Sequence, residues 1–207
     1  MKFRLTAVIV LALCLSNAFA DEGMWLLGNL KKNKQTERVM KDLGLQMPVN
    51  KLYNPKKPCL ADAVVSFGGF CSGVVVSDDG LVFTNHHCGF SSIQQHSSVE
   101  RDYLKDGFVA RSLQEELPNP ELYVRFLLRT EDVTKRVLSA AKYARTEAER
   151  RVAVDSIMNV IGMEVSEKDS TLTGVVDAYY AGNEFWLSVY RDYNDCLLYT
   201  SPSPRDS

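Results

Sequence analysis

The chain contains three histidines, and two of them are adjacent in Asn85-His86-His87-Cys88, with His96 shortly after. An unperturbed imidazole changes charge between pH 5 and 8, so a histidine held at a cleft can move protons as a general base, or ligate a metal when neutral. Both chemistries are open at this point. Zn²⁺ accepts imidazole and thiolate ligands, and His86, His87, Cys88 and His96 offer both. Against zinc, the residues just before the histidines read as a strand. Adjacent side chains on an extended strand point to opposite faces and do not readily share one ion.

The elements that must position these residues lie just upstream. Cys71 to Ser77 is apolar and β-branched, Asp78-Asp79-Gly80 supplies turn chemistry, and Leu81 to Thr84 starts a second strand that runs into the histidines. A short helix is expected after Cys88. The charged Glu100-Arg101-Asp102 reads as a solvated face rather than as part of a site.

The wording of this hairpin resembles the first barrel of chymotrypsin-like serine peptidases: Cys-Ser-Gly on one strand, then an apolar strand leading to Thr84-x-x-His87-Cys88. Further segments occur in the same order: Asp21-Glu22-Gly23-Met24-Trp25-Leu26, Phe67-Gly68-Gly69, Thr84 to Gly89, and His96 to Leu104. Together these resemble the bacterial periplasmic dipeptidyl-peptidases of the 7 and 11 type, serine exopeptidases that release dipeptides from peptide N-termini. The resemblance covers roughly residues 21–195. It implies a mainly β fold with a helical insertion, the chymotrypsin-like double β-barrel, of which this chain holds the first barrel and part of the helical region. It also implies that His87 is the catalytic base, that Cys71 and Cys88 form a disulfide, and that no cofactor or metal is used. Peptides with a free N-terminus are the implied partners, and the full-length protein is implied to be a homodimer. Members of this family are several times longer, so the chain is expected to be an N-terminal fragment.

Composition agrees with a folded, exported protein. A hydrophobic fraction of 45% with 24% charged residues predicts a packed core, and a net charge of −2 without a basic tract gives no reason to invoke nucleic acid. Lys2 and Arg4, the apolar run Ala7 to Leu15 and the small-x-small Ala18-Phe19-Ala20 read as a signal peptide over residues 1–20. That run is shorter than the ~20 residues a membrane span needs, so no span is expected after cleavage. The expected location is the periplasm or cell surface of a Gram-negative bacterium, an oxidising setting for Cys59, Cys71 and Cys88.

The rest of the chain reads as follows. A helix is expected over Met24 to Leu43, a linker over Lys51 to Pro58, and strands over Ala61 to Phe67 and Leu122 to Leu128. A helical insertion is expected over about 130–167, with Thr130 as its cap. Strands at Thr171 to Tyr180 and Glu184 to Tyr190 flank a turn at Ala181-Gly182-Asn183. Tyr179, Tyr180, Phe185 and Trp186 are expected in the core. The resemblance implies that residues 21–195 are the N-terminal part of a peptidase catalytic domain, whereas residues 196–207 depart from the family wording and read as a non-native tail of the translated-adaptor kind.

A serine peptidase also needs a nucleophile, an orienting acid and an oxyanion hole. No Gly-x-Ser-Gly segment follows the histidines. Ser72 precedes the base on its own hairpin, and Asp102 is not read as the acid. The chain therefore carries a base without its partners. The alternatives are an exported, non-catalytic peptide-binding module on the same barrel, and the zinc protein described above.

Overall fold

The computed structural model describes residues 25–30 and 34–202. The signal segment and the last five residues, on which several expectations fall, lie outside the described residues, as do residues 21–24 and 31–33. Among the described residues a 3₁₀ turn at Leu27–Asn29 comes first and helix α1 (Lys34–Asp42) next, so the stretch expected as one helix over Met24 to Leu43 is a 3₁₀ turn in its first part and α-helical over Lys34–Asp42. A one-turn helix, α2 (Val49–Leu52), sits at the start of the expected linker.

Strands β1 (Val64–Phe67), β2 (Cys71–Val75) and β3 (Val82–Thr84) follow as an antiparallel meander. The β2–β3 turn closes at Gly80, whose φ of +83° lies in the left-handed region that glycine tolerates without a steric cost. Helix α3 (His86–His96) starts directly after β3, one-turn α4 (Tyr103–Asp106) comes next, and the two-residue strands β4 (Phe108–Val109) and β5 (Leu117–Pro118) follow.

Strand β6 (Val124–Asp132) is longer than predicted and overturns the expected helix start at Thr130. Thr130, Glu131 and Asp132 pair with Ser188, Leu187 and Trp186, so the ladder overrides their capping chemistry. The helical insertion instead comprises α5 (Thr134–Ala140) and α6 (Glu147–Lys168). Thr146 caps α6 by accepting the Glu149 N–H, with Glu147 and Glu149 in its first turn and Lys168 in its last.

Strands β7 (Leu172–Tyr179) and β8 (Glu184–Tyr193) complete a six-stranded antiparallel sheet of order β3-β2-β1-β6-β8-β7. This is the mainly antiparallel, chymotrypsin-like arrangement with helices inserted, present as an open sheet corresponding to part of a barrel. Two more two-residue strands, β9 (Leu197–Leu198) and β10 (Thr200–Ser201), pair with β5 and β4. Through these pairs Leu197, Leu198, Thr200 and Ser201 of the expected tail lie beside β5 and β4.

One core joins α5 and α6 to β7 and β8 through Val137, Ile161, Val165, Val176, Phe185, Leu187 and Val189. Helix and sheet meet closely at a pair of glycines: a Cβ on Gly162 would lie 2.7 Å from the Gly174 carbonyl oxygen, and one on Gly174 would lie 2.6 Å from that of Gly162. A smaller core unites Val65, Phe67, Cys88 and Val124. Phe185 and Trp186 are buried as expected. Tyr179 is only half-buried and Tyr180 is 54% exposed, because Tyr180 occupies the β7–β8 turn with a φ of +51°.

Candidate active site

The histidines do not sit on a strand end. Asn85 is extended and serves as N-cap, its carbonyl accepting the Cys88 N–H at 2.9 Å, and His86 and His87 occupy the first turn of α3. Neighbouring helix residues are about 100° apart around the axis, so the two rings diverge without facing opposite ways. The helix is amphipathic over this turn: His86 and His87 are exposed, while Cys88 is 4% exposed and belongs to the smaller core.

Cys88 is joined to Cys71 of β2, with 6.1 Å between their Cα atoms. Closing a loop of this length stabilises by about 3 kcal/mol in the chain-entropy model. A His87 ring nitrogen lies within 4.8 Å of both sulfurs. His86 is engaged differently, its ring meeting Phe90 edge-on at 6.1 Å between centroids. His96, at the far end of α3, stands apart: its Nε2 lies 3.0 Å from the Pro118 carbonyl, to which it donates in the tautomer protonated there.

These positions bear on the zinc alternative. His87 and the two cysteines are the one His/Cys/Asp/Glu group of metal-binding geometry among the described residues. With both sulfurs in the bridge, neither is available as a thiolate, and a single imidazole remains. Cys59 is a free thiol whose sulfur accepts the Asn54 N–H at 3.2 Å. Asp102 caps α4 by accepting the Lys105 N–H at 3.1 Å, a structural duty.

Two features of the sheet that carries the site were not read from the sequence. Thr84, the last residue of β3, donates its hydroxyl to the Ser72 carbonyl at 2.8 Å. Its presence in the quoted motif was a signal, but its role depends on the β2–β3 register. On the same sheet, Arg125 and Asp192 form a two-pronged ion pair, both bonds 2.7 Å, with Arg125 lying 5.2 and 5.3 Å from the Tyr123 and Tyr190 ring centroids. The Arg125 hydrogen bonds hold the Asp192 carboxyl below its ordinary range, outweighing the opposing effect of partial burial, and Asp192 in turn raises Arg125.

The arrangement is thus an exposed imidazole beside a disulfide, on a helix packed against an antiparallel sheet. The model of the Peptidase S46 family matches residues 20–205, nearly the whole chain. The chain belongs to the peptidase S46 family. Among curated relatives, dipeptidyl-peptidase 7 of Porphyromonas endodontalis is 44% identical over 204 residues, covering 98% of this chain and 25% of that protein. The Asp/Glu-specific dipeptidyl-peptidase of Porphyromonas gingivalis is 41% identical over 212 residues, covering 98% of this chain and 28% of that protein. The crystal structure of Porphyromonas endodontalis DPP11 in complex with the dipeptide Arg-Glu superposes with a TM-score of 0.75 at 36% identity, covering 88% of this chain and 27% of that one. The S46 chain described here therefore spans about a quarter of the length of the relatives it matches. No helix among its described residues is long and apolar enough to cross a membrane.

Proposed function

We propose that this S46 chain is the base-bearing portion of a serine-type dipeptidyl-peptidase that releases dipeptides from the free N-termini of peptides in the periplasm. His87 is the general base. It takes the proton from a serine hydroxyl as that oxygen attacks the scissile carbonyl, then returns it to the leaving amine. The serine and the acid that holds the ring in its tautomer come from parts of the full-length protein beyond this chain. The observation that carries the reading is an exposed imidazole next to a bridge between β2 and α3, in a chain of this family. Residues 1–20 are a cleaved signal peptide, residues 21–195 belong to the catalytic domain, and 196–207 are a non-native tail. The full-length enzyme works as a homodimer.

The test is substitution in a full-length enzyme carrying these residues. His87→Ala should remove at least 10²–10⁴-fold in rate, whereas His86→Ala should cost less. The 207-residue chain itself, having a base without the proposed nucleophile, should stay unlabelled by serine-directed phosphonates. A labelled chain, or a His87→Ala enzyme that still turns over, would show the site to be misread.

A further inference from the structure

Two tethers bracket His87, and both end on the same strand. On the N-terminal side, Thr84 donates its hydroxyl to the Ser72 carbonyl at 2.8 Å. On the C-terminal side, Cys88 is covalently bound to Cys71. Ser72 and Cys71 are consecutive residues of β2. The β2–β3 ladder ends at the pair Gly73 and Thr84, so no further ladder bond guides the chain through Asn85, His86 and His87. Asn85, the N-cap, makes no side-chain bond to the helix, and its carbonyl accepts the Cys88 N–H, inside the same stretch. The five residues Thr84 to Cys88 thus form a short arch fixed at both feet, with His87 beside the second.

We propose that the Thr84 hydroxyl and the Cys71–Cys88 bridge are positioning groups for the His87 imidazole. This deepens the assignment of His87 as general base and rests on it. The bridge sets where the helix begins relative to β2, and the ring packs within 4.8 Å of its sulfurs. The hydroxyl sets the direction in which β3 delivers the chain into the arch. Proton transfer to a positioned base depends steeply on placement, and a shift of about 1 Å can cost about 10²-fold. It follows that thiol reductants act on turnover through this arch. One thiolate of a dithiol attacks a bridge sulfur and releases the other cysteine. Its second thiol then displaces the first cysteine, so the dithiol is oxidised as Cys71 and Cys88 are reduced.

The experiment uses the full-length peptidase and steady-state kinetics with a dipeptidyl substrate. Thr84→Val, which swaps the hydroxyl for a methyl of similar shape, should lower kcat about 10-fold or more with little change in KM or in melting temperature, and Thr84→Ser should restore it. Treatment with dithiothreitol should lower kcat of the wild type reversibly, with recovery on reoxidation. A Thr84→Val enzyme with unchanged kcat, or one whose loss lies in KM or follows its folded fraction, would overturn the role of the hydroxyl. Full activity of the reduced enzyme, with both thiols shown free by alkylation, would overturn the role of the bridge. If His87→Ala abolishes turnover in the same preparation, such results remove the positioning inference alone. An active His87→Ala enzyme removes the base assignment beneath it. The Thr84 pair carries the test even where replacement of both cysteines prevents folding.

Discussion

At the β7–β8 end of the sheet, seven buried residues from two helices and two strands share one core, and Val137 and Val189 are fully shielded from solvent. At the β1–β3 end the core has four buried residues, one of them a half-cystine. The opposite face of that end is bare. Strand register places Val64 beside Val74 and Val74 beside Phe83, a row of three apolar side chains that are 54%, 40% and 56% exposed. The contrast separates two ways of holding a protein together. The helical end is held by area removed from water, whereas the end bearing His87 is held by a covalent bond and a few hydrogen bonds.

The sharpest way to break this comparison is to remove volume at the helical end. Ile161→Ala should cost about 4 kcal/mol, a transfer and cavity loss in a packed site, measured by urea denaturation. Truncating half-buried Val82 of β3 to alanine should cost much less. Equal losses would mean that the two ends are packed alike.

Replacing Cys71 and Cys88 together by alanine should cost about 3 kcal/mol. Hydrogen exchange should locate the effect, with amides of α3 opening faster while those of α6 keep their protection. Uniform loss of protection would show that the ends unfold as one unit.

The Arg125–Asp192 pair joins β6 to β8 and is mostly shielded, its side chains 21% and 24% exposed. Because the folded-state pKa of Asp192 is depressed, its contribution is present above the ordinary carboxylate range and is lost as pH falls through that range and below it. Asp192→Asn should therefore lower stability at pH 7 by about 1 kcal/mol and flatten the acid side of the stability profile. A variant whose acid sensitivity matches the wild type would discount the pair.

The smallest effect on stability is expected at the bare row. Phe83→Lys with Val74→Lys should change the unfolding free energy by less than about 0.5 kcal/mol, since neither side chain is buried. Self-association of the 207-residue chain should fall, as read by light scattering, because an exposed apolar strand face favours aggregation. A large loss of stability would mean that this row is packed after all.

The same contrast explains what could be read from the sequence. The β2–β3 hairpin was legible because its turn is written locally in Asp78-Asp79-Gly80. The long helix was legible from its spacing of apolar residues. Thr130 misled because its capping chemistry is local, while the force holding it in β6 comes from Ser188, 58 positions away in sequence. Tyr180 misled because aromatic residues beside a strand read as core, although the turn turned it outward. For the site, the identities of His87, Cys71 and Cys88 were carried by a family resemblance. The start of α3 at His86, the Thr84–Ser72 bond and the Arg125–Asp192 pair all depend on which strands lie side by side, and no local pattern states that.

The paired glycines between α6 and β7 have a mechanical consequence. Gly162 lies 15 positions from the first residue of α6 and six from the last, or about 22 Å and about 9 Å along the axis. The contact acts as a fulcrum set far towards one end of a beam. A small tilt there moves the tip near Glu147 more than twice as far as the end near Lys168. A methyl group added at either glycine would lift the helix from the strand, and the displacement would be magnified at the distant α5–α6 connection.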